Sequence, residues 1–341
     1  MKKVLTYILT LLMVNLSGQT EFVSLDEALE MPDHVEKLIL NFSNIETKLP
    51  DYRIKKLINL EELRIVNFKD SEIDLPRELL YLENLKRLSI YGEDLHVIPD
   101  IIFDMYGLDE LILSLMKLDS IPEGFSRLKK LKSLGFTSNN LSTISDEIYS
   151  LENLESLNIG GNKLKILPDG ISNLHKLKYL TIQARTLTDL PNDLKSLKNL
   201  EYIHLSIDGD IKLSLHEKLD NLKEFSWHGC KSFPTFICNY TNLEKVQFWK
   251  GSMKMIPKCI SNLKKLRNLT VSSHPISELP EDLKLLENII LLDFRNTDIE
   301  DIDPGILELP KLSNVLIEDC SNFDNLLYLK LRSKYGDKIV K

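Results

Sequence analysis

Four cysteines and seven histidines are the residues of this chain with the widest chemical reach. Cys238 and Cys259 lie on neighbouring segments that each follow a proline, Pro234 and Pro257, and a disulfide would join those segments. Aligned on the two prolines, the cysteines stand two residues out of step, so the spacing leaves open whether their Cα atoms come within bridging range. No Cys-x-x-Cys pair occurs, which removes the usual zinc ligand set. His204 and His228 would lie within about 8 Å of each other on adjacent strands. A metal needs more ligands than these two and no third stands out, so both read as surface histidines. The chain has no glycine-rich phosphate loop ending in Lys-Ser or Lys-Thr, no His-Glu-x-x-His and no Gly-x-Ser-x-Gly. The expectation is a protein without metal or cofactor that binds rather than catalyses.

Binding chemistry is better supplied. Tyr179, Gln183, Tyr202, His204, His228, Gln247, Trp249 and Lys250 fall at corresponding places in four successive stretches of chain, and Arg267 and Arg295 follow. Large amphipathic aromatics and arginine combine contact area with hydrogen bonding, the mixture interfaces favour. The two preceding stretches are bland by comparison, with Ser133, Gly135, Thr137 and Ser138, then Ser156, Asn158, Gly160 and Gly161. Trp227 falls at an apolar position and is expected in the core.

What would hold these side chains together is a repeat. Leu154 to Leu174, Leu177 to Leu197 and Leu266 to Leu286 place apolar residues at positions 1, 4, 6, 11, 14, 18 and 21, often with proline after position 14. Units begin at Val35, Leu60, Leu85, Leu108, Leu131, Leu154, Leu177, Leu200, Leu222, Leu243, Leu266, Ile289 and Leu312. Most are 23 residues long; the first two have 25, and those starting at Leu200 and Leu222 shrink to 22 and 21. Alternation around positions 4 and 6 marks a strand with one buried face. The apolar residue at 11 returns the chain over the core, and proline near 15 opens a short helical or irregular segment whose residues 18 and 21 point inward. No unit can bury its leucines alone, so the units must stack, and their strands then run parallel about 4.8 Å apart. Positions 3, 5, 7 and 8 are left to form the exposed face or its rim.

This pattern resembles the leucine-rich-repeat family, in the subtype whose return reads L-P-x-x-I-x-x-L, from about Val35 to Cys320. The resemblance implies an α/β solenoid, a horseshoe with a concave parallel β-sheet and short helical or irregular returns, that binds other proteins. One departure is plain. The family usually carries Asn at position 9, and here only Asn139 and Asn162 do. Elsewhere the place is taken by residues as varied as Glu93, Met116, Arg185, Asp208, Gly251, His274 and Thr297. Cys230 and Cys320 also stand there and read as small buried turn residues.

The ends suggest the organisation of the chain. Residues 1–19 read as a secretory signal peptide, with Lys2 and Lys3, an apolar run from Val4 to Leu16, and small Ser17 and Gly18. That run is shorter than the roughly 20 residues a membrane span needs, so no membrane insertion is expected after its removal. Residues 20–34 read as an N-terminal cap, where Ser24 and Glu27 fit a capping box that opens a short helix ended by Pro32. Residues 35–320 form the repeat array of about 13 units. Residues 321–341 read as a C-terminal cap whose helix would use Phe323, Leu326, Leu327 and Leu331 as its apolar face and end near Gly336. A formal charge of -8 argues against nucleic acid as partner. The expectation is an exported protein, secreted, periplasmic or at the cell surface, whose partner is another protein. Glycan or cell-wall binding is the alternative, since Tyr179, Tyr202 and Trp249 could stack on sugar rings.

Overall fold

The computed structural model describes residues 21–42, 51–68, 73–208 and 219–341. The signal peptide read at residues 1–19 lies outside them. The chain packs as two compact units, Met1–Leu141 and Ser142–Lys341. In the first, strands β1 (Glu21–Phe22), β2 (Lys37–Asn41), β3 (Glu62–Phe68), β4 (Arg87–Gly92), β5 (Glu110–Ser114) and β6 (Ser133–Gly135) pair in chain order, each parallel to the next. In the second, the same order runs through β7 (Ser156–Asn158), β8 (Tyr179–Gln183), β9 (Tyr202–Ser206), β10 (Glu224–His228), β11 (Lys245–Trp249) and β12 (Asn268–Ser272). It ends with β13 (Leu291–Asp293), β14 (Asn314–Leu316) and β15 (Ile339–Val340).

One coil shows how the leucines build this. Leu177, Leu180, Ile182, Leu187, Leu190, Leu194 and Leu197 occupy the seven apolar positions, and all are buried. Most described returns are 3-10 helices of three to five residues, such as Asn192–Ser196 and Lys258–Asn262, and one, Pro304–Leu307, is a single α-helical turn. A proline in extended backbone precedes each of these two, because its fixed φ suits the entry and it donates no hydrogen bond. The central residue of the return, Leu194 or Ile260, is the inward one. Trp227 is in the core as expected, at 2% exposure.

Of the face and the rim expected for it, position 8 takes the rim. In nine coils it is left-handed: Asn67, Leu115, Ser138, Gly161, Gly229, Lys250, Ser273, Asn296 and Asp319. It is the corner where the chain leaves the sheet. Most of these are Asn, Asp, Ser or Gly, the types that tolerate or assist a local turn.

The scarcity of Asn at position 9 is answered elsewhere. Asn139 and Asn162 do bond turn carbonyls, of Leu113 at 2.9 Å and Ile159 at 3.0 Å. Thr297 Oγ1 and Cys320 Sγ substitute by donating to the Phe294 carbonyl at 2.7 and 3.1 Å. A second amide ladder stands immediately before position 1. Asn199, Asn221, Asn242 and Asn288 each donate from Nδ2 to a carbonyl of the preceding coil, that of His175, Lys198, Asp220 and Lys264, at 2.6 to 2.7 Å. Asn59 and Asn84 do the same at 2.9 Å.

Cys238 and Cys259 are bridged, with Cα atoms 5.7 Å apart. Their two-residue offset is what permits it. Cys238 follows the buried Ile237, and Cys259 precedes the buried Ile260. In a helix of three residues per turn those places lie to either side of the inward residue, so they meet across the gap between stacked coils. Cys230 and Cys320 are buried thiols outside the disulfide.

The ends differ in detail from the expectation. A one-turn helix, Leu25–Ala28, follows Ser24, but the serine side chain makes no capping bond, and Pro32 opens a separate 3-10 turn, Pro32–His34. At the other end a helix spans Asn325–Tyr335 and stops at Gly336, which has φ 63°. Phe323 and Leu331 are buried, whereas Leu326 is 76% exposed and outside any apolar face. The Asp324 carboxylate caps this helix by accepting from Leu327 N at 2.6 Å, and that cap sets a rotation in which Leu326 faces away.

Candidate functional site

Strands β8 to β11 bring three rows of side chains to the exposed sheet face, because parallel pairing in register sets corresponding positions side by side. Position 3 supplies Tyr179, Tyr202, Glu224 and Lys245. Position 5 supplies Thr181, His204, Ser226 and Gln247, and position 7 supplies Gln183, Ser206, His228 and Trp249.

The rings form two pairs. Tyr179 and Tyr202 have centroids 6.4 Å apart at an interplanar angle of 45°. His204 and Trp249 lie 6.2 Å apart at 54°, although they come from strands separated by β10. The residue between them explains how: Ser226 is small and only 1% exposed, so the two rings close over it. Its hydroxyl donates to Gln247 Oε1 at 3.4 Å. On the other side, Gln183 Nε2 lies 3.3 Å from His204 Nε2. Ser206 Oγ lies 3.5 Å from His228 Nδ1. Tyr179 is exposed, and Tyr202, His204 and Trp249 are half-buried, which makes a shelf of ring faces with amides and hydroxyls between them.

The shelf carries little net charge. Burial, and then the neighbouring His228, lower the pKa of His204 and favour its neutral form. Glu224 is met by Lys245 at 3.4 Å. Burial and the Glu224 carboxylate raise the Tyr202 hydroxyl, so it remains a neutral donor.

Three of the sequence-predicted residues are not gathered here. Lys250 occupies the left-handed corner after β11, with φ 50°, rather than a strand row. Arg267 precedes β12 and sits outside the three rows. Arg295 is held by Asp293, with Nε to Oδ1 at 2.9 Å and Nη2 to Oδ2 at 2.7 Å, and by Glu318 at 3.6 Å. Its guanidinium is spent on its own coils. Ser226 was missed by composition-based reading; the available signal was a small residue flanked by large ones in one row.

His274, read at sequence level only as a position-9 replacement, is 2% exposed. Its Nδ1 accepts from Met253 N at 3.2 Å, and its Nε2 is buried without a hydrogen-bond partner. Burial, and to a lesser degree His228, push its pKa down to about 4. It is structural, standing where the family's Asn would bond the turn.

Comparison with known proteins agrees with this architecture. Residues 116–255 match the family model described as a leucine-rich repeat region. No curated protein sequence matches the chain. Among solved structures, a Leptospira interrogans LRR protein is 22% identical, covering 95% of this chain and 100% of its own, with a TM-score of 0.53. A TDR receptor is 28% identical over 78% of this chain, with a TM-score of 0.59, and this chain spans 48% of that receptor. Toll, in the Drosophila Toll–Spatzle complex, shares the fold at 19% identity and a TM-score of 0.69, over 87% of this chain and 42% of that one. Thirteen repeats, parallel strands in chain order and these likenesses agree on a leucine-rich-repeat fold, with residues 116–255 matching the family model itself.

Proposed function

We propose that this is an exported protein-binding module whose partner seats on the face of β8 to β11. The observation that carries the reading is the ring shelf, Tyr179 with Tyr202 and His204 with Trp249, drawn from β8, β9 and β11. Rings fixed by their neighbours lose little freedom on binding, and they offer both apolar area and hydrogen bonds. Toll, which has the same fold, has been solved in complex with Spatzle, and this supports a protein partner here.

Export is supported by two features: the charged, apolar and small-residue order of residues 1–19, and the Cys238–Cys259 bridge, which suits an oxidising compartment. Among the described residues no helix is long and apolar enough to cross a membrane. The function is binding rather than catalysis.

The test is capture of surface and extracellular proteins, alongside a glycan panel, by residues 20–341 and by the Tyr202→Ala/Trp249→Ala variant. A protein retained by the wild type and lost from the folded variant supports the reading. Equal retention by both moves the site off this face. Retention of glycans alone favours the second reading, sugar binding, for which the tilted exposed rings are the supporting observation.

A further inference from the structure

We propose that a cleft at the end of β8 binds a carboxylate, so that the segment seated on the shelf presents an acidic group beside an apolar or aromatic one. This rests on the protein-binding reading above and adds to it the chemistry of the partner. The cleft has a volume of about 400 Å³ and is lined by Asn162, Lys163, Gln183, Arg185, Thr186 and Ser206, over the backbone of Gly161.

Among the described residues its lining holds two cations and no acid, in a chain with 51 acidic and 43 basic residues. Several cations on and beside this sheet are matched at short range. Lys178 meets Glu155 at 2.7 Å, Lys223 meets Glu201 at 2.9 Å, and Arg295 meets Asp293 at 2.7 Å. Lys163 makes no ion pair among the described residues. Arg185 meets Asp208 only at 3.9 Å, with 80% and 61% of the two side chains exposed. A planar carboxylate fits the guanidinium fork of Arg185, with the Lys163 ammonium adding charge.

Gln183 joins cleft to shelf. It lines the cleft, and its Nε2 lies 3.3 Å from His204, whose ring pairs with Trp249. Space for the Gln183 amide is left by Gly160, where a Cβ would come within 3.1 Å of Gln183 Oε1. The left-handed Gly161, at φ 69°, then turns the backbone away along the cleft floor. A ligand with its ring on the His204 side of the shelf therefore has a cation-lined hollow next to it.

The probe is N-acetylphenylalanine against its C-terminal amide, followed by ligand-observed NMR with residues 20–341. The acid should bind about fivefold more tightly than the amide, as two exposed charge pairs allow. Raising the salt should narrow that ratio. Lys163→Gln and Arg185→Gln should each reduce the acid-to-amide ratio, and the double substitution should bring it to one. Equal binding of acid and amide by the wild type, or a ratio unmoved in the folded double variant, overturns the cleft and leaves the shelf standing. Binding of neither probe overturns the cleft and the shelf together. Glucuronate binding that depends on Arg185, without N-acetylphenylalanine binding, overturns the protein-segment assignment in favour of an acidic sugar.

Discussion

Phe103 lies directly against Gly124: a Cβ added at 124 would stand 2.9 Å from the Phe103 ring. Phe103 is the residue after the buried Ile102 in one return, and Gly124 precedes the buried Phe125 in the next. Tyr149 and Gly170 repeat the relationship at 3.0 Å, and Cys238 and Cys259 make it covalent. In these three pairs of returns, the residue just after one inward position packs directly against the residue just before the next.

Gly124→Ala should therefore destabilise the chain. The glycine has φ 116°, which alanine adopts only with strain, and the added methyl collides with a ring that is 1% exposed. A loss of roughly 1–3 kcal/mol is expected in denaturant unfolding. Gly107→Ala is the control, because the nearest atom to its added Cβ is 3.7 Å away. Equal midpoints for the two variants would refute the packing argument.

Thiol titration checks the bridge. The unfolded, unreduced chain should expose two thiols, Cys230 and Cys320, and four after reduction. Cys238→Ser/Cys259→Ser should lower stability by about 3 kcal/mol for a closed loop of this length.

Stability should fall in mild acid because of His274. Its folded pKa of about 4 lies below the unfolded value of 6.5, so the unfolded chain takes up the proton first. The contribution is complete above pH 6.5 and is lost as pH falls toward 4, amounting to about 3 kcal/mol. His274→Asn restores the residue found at Asn139 and Asn162 and should flatten this part of the stability curve. A slope that persists unchanged in the variant would point to other groups.

Arg295→Gln and Arg267→Ala should leave partner capture within about twofold of wild type, since each change stays within the few tenths of a kcal/mol typical of sites without contact. Arg295 serves Asp293 and Glu318, and Arg267 sits before its strand. A tenfold loss on either change would extend the site beyond the three rows.

The coil was legible in the leucines because burial repeats with every unit and thirteen copies average out local noise. Pairing rows also followed, since strands one unit apart must align. What escaped were features set by short polar side chains. The left-handed corner at position 8 is served by Asn67, Ser138, Gly161 and Asp319 but equally by Leu115 and Lys250, so residue type alone does not mark it. The amide ladder of Asn199, Asn221 and Asn242 stands in the sequence as an asparagine before these three units, yet its bonds depend on a carbonyl about 23 residues earlier. The approach of His204 to Trp249 needed the size of the residue between them, which a row-by-row count of aromatics does not weigh. Arg295 looked available because its partner Asp293, two residues earlier at the end of β13, is itself almost wholly buried.

The leucine positions take up the inward side chains of the coils, and the amide ladder ties the backbone of six of them, while many side chains at positions 3, 5 and 7 are left to face solvent. Where those sites stay open to solvent, as at Tyr179 and Gln183, they can change at little cost to folding, whereas Ser226 and Asp293, at position 5 and almost wholly buried, cannot. Selection acting on such a chain can rewrite what it recognises far faster than it can alter how it folds.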